Sequence, residues 1–229
     1  MKPGKLYGVG IGPGDPRYLT LRAADVLRSV DVIFTVISQN ASSSVSRSVV
    51  ESLEPRGEIH LQIFSMSRDK AVRAAQVQER LQQDQIPENE TIARLRGAIT
   101  YSTFGYVLEI IRESIPGVEL EIVPGITSFA TLTAKAGTVL VENGEQLRVI
   151  PSFKSEMAET LDFPKGSTTI LLKTYRSRKA LVERLRREEN VEILYGEHLA
   201  MEGQTLLTDL DAVADRPEEY LSLIMVKKQ

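Results

Sequence analysis

Gly8-Val9-Gly10-Ile11-Gly12-Pro13-Gly14-Asp15-Pro16 runs straight out of an apolar stretch and is followed by Tyr18-Leu19-Thr20-Leu21. A glycine-rich turn after the first strand of an α/β protein invites a dinucleotide reading, and this one refuses it. A dinucleotide turn needs glycine at its first, third and sixth places and opens directly into a helix whose N-terminus holds pyrophosphate. Here the sixth place is Pro13, which has no N–H to offer an anion. The next strand, from Val32 through Val36, continues into Ile37-Ser38 without a carboxylate to bind a ribose. The loop therefore lets two backbones, or a backbone and a flat ligand, come close, and it is poorly made for cradling phosphates.

Outward from this loop, strands and helices alternate. Strands are expected at residues 6–11, 32–37, 59–64 and 118–123, and helices at 21–29, 42–53, 68–83 and 104–115. Thr20 is placed to cap the first helix. The 32–37 segment is almost wholly apolar, as a strand buried on both faces should be. Such alternation implies a parallel sheet with helices on both faces. After Val123-Pro124-Gly125-Ile126-Thr127 the pattern changes. One helix, 128–135, is followed by strands at 146–150, 168–173, 191–195 and 220–227 and a basic helix at 178–187. Two domains follow from this reading: a mostly parallel α/β domain at 1–123, and a mixed α/β domain at 124–229 with a cleft between them.

Composition narrows the function classes. The chain has 229 residues, 42% of them hydrophobic, no cysteine and a formal net charge of −3. This excludes a disulfide scaffold and a thiolate metal site. The mixed charge gives no electrostatic case for nucleic acid, and no apolar run is long enough to span a bilayer. Met1-Lys2-Pro3-Gly4 leads directly into a strand, so no signal peptide and no membrane association are expected, and a cytoplasmic location is the default.

Three segments carry chemistry. Tyr101-Ser102-Thr103-Phe104-Gly105-Tyr106 precedes a helix, where hydroxyls and free N–H groups can hold a polar ligand end or simply cap the helix. Pro124 to Phe129 combines a rigid turn, a close-approach glycine and a cap by Thr127 or Ser128. Residues 168–179 form a buried strand emerging into a basic loop with Lys173, Arg176, Arg178 and Lys179. Arg178 and Lys179 read as a solvated helix start. Lys173 could be either surface or site. His60 reads as a surface residue, and His198, just after a strand, could reach the cleft; a non-catalytic role is the expectation for each, although histidine is a natural acid–base group near neutral pH. Neither has the neighbours of a zinc site.

The run Gly-x-Gly-x-Gly-Pro-Gly followed by Leu-Thr resembles the opening signature of the tetrapyrrole methyltransferases, and Tyr101-Ser102-Thr103-Phe104 and Pro124-Gly125-Ile126-Thr127 resemble two further family segments. The resemblance covers nearly the whole chain. With Val36 to Asn40, Ser42 to Ser44 and Glu142 to Leu147, it points to the branch that methylates carbon 20 of precorrin-2 or of its cobalt complex, cobalt-factor II, in cobalamin biosynthesis. Methylation at another ring position, a non-tetrapyrrole substrate and a non-catalytic binding role are the alternatives. The resemblance implies S-adenosyl-L-methionine as cofactor, a corrinoid substrate and a homodimer. It assigns Gly10, Ile11, Ser102, Thr103, Thr127 and Lys173 to the cofactor and Pro13, Arg17 and Arg176 to the substrate. Tyr101 is a candidate base. Cationic Lys173, Arg176 and Arg178 could also meet the substrate's acetate and propionate groups.

One departure stands out. The family usually has a buried strand ending in Gly-Asp-Pro just before the Tyr-Ser-Thr segment. Here Gly97-Ala98-Ile99-Thr100 precedes Tyr101. Ala98-Ile99-Thr100 is too short for a central strand. Either the element is missing, leaving unpaired backbone groups in the sheet, or residues there are omitted or replaced.

Overall fold

The computed structural model describes residues 5–38, 44–64, 92–95 and 117–229, with the single positions 72, 75 and 108. The chain divides into two compact units, Met1–Ile126 and Thr127–Gln229, and each has its own five-stranded sheet.

The first unit contains β1 (Lys5–Val9), β2 (Val32–Ser38), β3 (Glu58–Phe64), β4 (Ile92–Leu95) and β5 (Glu119–Val123). Their order is β3-β2-β4-β1-β5, and every pairing is parallel. Helix α1 (Leu21–Ser29) begins where expected, because the Thr20 hydroxyl accepts from the Ala23 amide at 3.1 Å. Its Ala23, Val26 and Leu27, spaced for one helical face, are buried with Val9, Ile33, Val49 and Val50. Burying each Val or Leu contributes about 1.5–3 kcal/mol. Helix α2 (Val45–Glu51) starts later than the sequence suggested, since Ser44 is extended and caps it through the Arg47 amide. The predicted helices at 68–83 and 104–115 lie almost wholly outside the described residues; Val72, Ala75 and Leu108 are helical.

The expected absence of a central strand is corrected. β4 lies between β1 and β2, with Leu6 opposite Ile92, Gly8 opposite Arg94 and Ile33 opposite Ala93. The chain supplies the strand from Ile-Ala-Arg-Leu, upstream of Ala98. A charged residue inside a four-residue strand conceals it from a search for an apolar run.

The second unit contains α3 (Ser128–Ala136), β6 (Gln146–Ile150), β7 (Ser167–Leu172), α4 (Arg178–Leu185), β8 (Val191–Glu197), β9 (Thr205–Leu207), α5 (Leu210–Ala214) and β10 (Ser222–Lys228). The order is β6-β7-β10-β8-β9, parallel between β6 and β7 and antiparallel elsewhere. Strand alternation fills both faces of this sheet. Leu171, Tyr195, Ile224 and Val226 pack with Leu181, Val182 and Leu185 of α4 and Val213 of α5. Ile170, Leu194, Leu223 and Met225 pack with Leu132 of α3 on the other side.

β1 stops at Val9, two residues short of the predicted end, because Gly10 turns against the chain leaving β5. The Gly10 amide donates to the Val123 carbonyl at 2.9 Å. A Cβ on Gly10 would stand 2.7 Å from the Gly125 Cα, and one on Gly125 would stand 2.8 Å from the Gly10 carbonyl carbon. Gly10→Ala and Gly125→Ala should each destabilise the protein by about 1–3 kcal/mol through backbone displacement. Urea unfolding of each variant measures this, and an unchanged midpoint would contradict the contact.

Candidate active site

In sheets that bind ligands, the binding edge is the one formed by the carboxyl ends of the strands. In the first unit that edge carries Gly10 and Ile11 after β1 and Pro124-Gly125 after β5. Ile11 is buried, and Gly12, Pro13 and Gly14 are half-buried. Gly12 and Gly14 have φ of 73° and 145°, conformations open to glycine at little cost. The turn then enters a 3-10 turn at Pro16–Tyr18, with Asp15 as its cap. The Asp15 carboxylate accepts from the Arg17 amide at 2.9 Å and grips the Arg17 guanidinium. An acid, a proline and a 3-10 turn stand where a phosphate-binding loop would present amides and a helix end. The close Gly10–Gly125 approach packs two backbones together at this edge.

In the second unit, β6, β7 and β8 run parallel to one another, since β10 lies antiparallel between β7 and β8. Their carboxyl ends share one edge. Lys173 follows β7 with φ 56°, and His198 follows β8 with φ 49°. Such backbone angles are uncommon for residues other than glycine. Both amides are anchored on the segment entering β10, Lys173 to the Ser222 carbonyl and His198 to the Leu221 carbonyl, each at 3.1 Å. Tyr220 of that segment lies edge-on to Tyr175 at 5.5 Å, and the Lys173 ammonium is 6.0 Å from its ring. The Arg176 guanidinium lies 5.2 Å from the Tyr175 ring. Ser155, after β6, donates to the Arg176 carbonyl at 3.3 Å. Among the described residues, neither Lys173 nor Arg176 has a carboxylate partner.

Beneath this edge is a buried ionic group. Glu197, 2% exposed, accepts from the Tyr195 hydroxyl and from Arg216. Burial opposes the charge on Glu197, but the bonds from Arg216 and Tyr195 outweigh it and hold the carboxyl below its usual range. Burial, reinforced by the Glu197 carboxylate, pushes the Tyr195 phenol up to about 12. Arg178, expected on the surface, is corrected: it is 2% exposed, donating to the carbonyls of Pro217 at 3.0 Å and of Arg216. Those carbonyls satisfy donors that would otherwise need water.

The family model described as Tetrapyrrole (Corrin/Porphyrin) Methylases matches residues 5–214. This chain belongs to that family. It is 30% identical to a Methanocaldococcus jannaschii protein named "Probable cobalt-precorrin-2 C(20)-methyltransferase", over 98% of this chain and 96% of the relative. It is also 30% identical to the cobalt-precorrin-2 C(20)-methyltransferase of Salmonella typhimurium, over 99% and 97%. Among solved structures, a cobalamin-synthesis-related protein of Corynebacterium diphtheriae shares the fold with a TM-score of 0.75 at 18% identity, covering 99% of each chain. The uroporphyrin-III C-methyltransferase of Thermus thermophilus, solved with S-adenosylhomocysteine, shares it with a TM-score of 0.67 at 20% identity, over 98% and 97%.

Within this methylase, the residues expected from sequence fall into three groups. Gly10, Ile11 and Pro13 share the edge of the first sheet. Lys173 and Arg176 share the edge of the second. Tyr101, Ser102 and Thr103 lie outside the described residues. Thr127 caps α3, its hydroxyl accepting from the Ala130 amide at 3.4 Å. The Arg17 guanidinium is engaged by Asp15. Sequence reading gave no role to Tyr175, Tyr220, Glu219 and Arg216; the fold brings Tyr220 beside Lys173 and Tyr175, Glu219 beside His198 and Arg216 beside Glu197.

Because its folded-state value is depressed, Glu197 contributes stability that is present above its ordinary value of about 4.5 and is lost as pH falls through the folded value. Arg216→Leu should cost about 2–3 kcal/mol by leaving a buried carboxylate half-paired. The variant should also lose less stability than the wild type as pH falls, because without Arg216 burial favours the neutral carboxyl and the folded state takes up the proton at least as readily as the unfolded one. Urea unfolding between pH 7 and pH 4 tests both; parallel stability curves for the two proteins would refute the role of the pair.

Proposed function

We propose that this protein transfers a methyl group from S-adenosyl-L-methionine to carbon 20 of precorrin-2 or of its cobalt complex, in cobalamin biosynthesis. The observation that carries this reading is 30% identity to two proteins with C20-methyltransferase names along almost the whole of all three chains. A non-catalytic role drew its support from the missing central strand, and β4 removes that support. The cobalt belongs to the substrate. Among the described residues no cluster of three or more His, Cys, Asp or Glu side chains could hold a metal ion.

S-adenosylmethionine brings an activated methyl on a positively charged sulfur. The protein has to align that methyl with the carbon and keep water away. Gly10 and Ile11 are assigned to this task because they follow β1 at the carboxyl edge of a parallel sheet, the edge at which such sheets bind ligands. We place Ser102, Thr103, Thr127 and Lys173 with them at the cofactor. Pro13, Arg17 and Arg176 are placed at the substrate, where a guanidinium backed by an aromatic ring suits a carboxylate. The reading extends to a homodimer in the cytoplasm. A solution mass of twice 25.5 kDa by light scattering is expected for the dimer. Among the described residues no helix is long and apolar enough to cross a membrane.

Thermal unfolding with S-adenosylhomocysteine or NAD separates methyl-donor binding from dinucleotide binding. S-adenosylhomocysteine at a hundredfold excess over its Kd should stabilise by about 2.7 kcal/mol, and NAD should have no effect. A shift with NAD alone would overturn the reading. Arg176→Ala should raise KM for the corrinoid by about tenfold, the loss of one charge-assisted bond, and leave S-adenosylhomocysteine affinity unchanged. Steady-state kinetics with the corrinoid varied, together with titration calorimetry, measure the two effects. Equal weakening of both would mean that Arg176 shapes the whole site.

A further inference from the structure

His198 is held more tightly than a surface histidine requires. Its amide donates to the Leu221 carbonyl at 3.1 Å, and its carbonyl accepts from the Met201 amide at 2.9 Å. Its Nε2 lies 2.9 Å from Oε2 of Glu219. The other carboxylate oxygen of Glu219, Oε1, accepts from the Leu221 amide at 2.9 Å, and the Glu219 carbonyl accepts from the Ser222 hydroxyl at 2.7 Å. The chain entering β10 thus fixes both members of the pair.

This geometry sets the chemistry of the ring. With Oε2 of an ionised carboxylate 2.9 Å from Nε2, the neutral tautomer that the pair favours is the one protonated on Nε2. Nδ1 is then left with its lone pair, since the His198 side-chain contact among the described residues is made through Nε2. The His198 and Glu219 side chains remain 31% and 28% exposed, so a proton received there can pass to water. The pair stands on the same strand-end edge as Lys173.

Methylation of a meso carbon releases a proton, which needs an acceptor. We propose that Nδ1 of His198, oriented by Glu219, accepts the proton lost from carbon 20 of the substrate. The proposal rests on the C20-methyltransferase reading. In balance, carbon 20 uses a π-electron pair to form the new carbon–carbon bond, and the pair of the broken sulfur–methyl bond stays on sulfur. Carbon 20 then gives up its hydrogen as a proton to Nδ1. The electron pair of that C–H bond restores the double bond.

The test compares wild type with His198→Gln, Glu219→Gln and Tyr101→Phe, using substrate with hydrogen or deuterium at carbon 20. His198→Gln should bind S-adenosylhomocysteine with wild-type affinity and lose about 100-fold in kcat, the scale of a general base. It should also show a primary deuterium isotope effect larger than that of the wild type, since proton removal becomes limiting. Glu219→Gln should lose less and show the same isotope effect. Nitrogen NMR of labelled His198 should find the Nε2–H tautomer in the wild type and a mixture in Glu219→Gln. Wild-type turnover by His198→Gln, or equal slowing with both isotopes, overturns the proposal. So does an isotope effect that emerges only in Tyr101→Phe. Should His198→Gln fail to fold, Glu219→Gln decides, and its lack of an isotope effect is equally fatal. A wild type that binds S-adenosylhomocysteine but never methylates the corrinoid refutes the C20 reading itself, before any variant is made.

Discussion

Two loops of the first unit meet with almost no space between their backbones, at Gly10 and Gly125. The contact is possible only because neither residue has a Cβ, and the 2.9 Å bond from the Gly10 amide to the Val123 carbonyl fixes it. It ends β1 at Val9 and holds the chain leaving β5 beside it, continuing the parallel register of the two strands. Most of the first unit's candidate site depends on it. Ile11 is buried and Pro13 half-buried because the chain must turn here, and the turn leads into a 3-10 turn that provides no helix end for a phosphate.

The second unit solves a different problem with the same kind of edge. Its strands are buried on both faces, so polar groups at their ends must find partners within the fold. Glu197 finds Tyr195 and Arg216, and Arg178 finds the carbonyls of residues 216 and 217. These bonds fix the chain that leads towards β10, and that chain in turn anchors Lys173 and His198 in left-handed backbone conformations. Backbone strain of this kind persists where surrounding structure over-determines it, and it gathers at functional sites. Cations backed by tyrosines and an imidazole backed by a carboxylate then face outward from an ordered base.

Helix α1 was legible in sequence to the residue, because a threonine cap and an apolar stripe act locally. Four of the five strands of the second unit were legible from their apolar runs; β9, three residues long, was not. β4 was not. Four residues with an arginine among them have no strand signature of their own, and Ile92–Leu95 becomes a strand through hydrogen bonds offered by β1 and β2 on either side. Arg178 misled in the opposite direction. A cation at the start of a basic helix reads as solvated, and its burial depends on two carbonyls 38 and 39 residues further on.

The sequence by itself determined the family, the α/β class and the exclusion of a dinucleotide loop, since each depends on the order of residues within a short stretch: glycines, a proline without an N–H, a cap before an apolar stripe. Tertiary structure alone decided which polar side chains stand together. Glu219 meets His198, Arg216 meets Glu197 and Tyr220 lies between Lys173 and Tyr175 because β10 returns antiparallel between β7 and β8. Hydrogen bonds between strands far apart in the chain depend on sheet order, and that order is settled by the burial of both faces of the sheet.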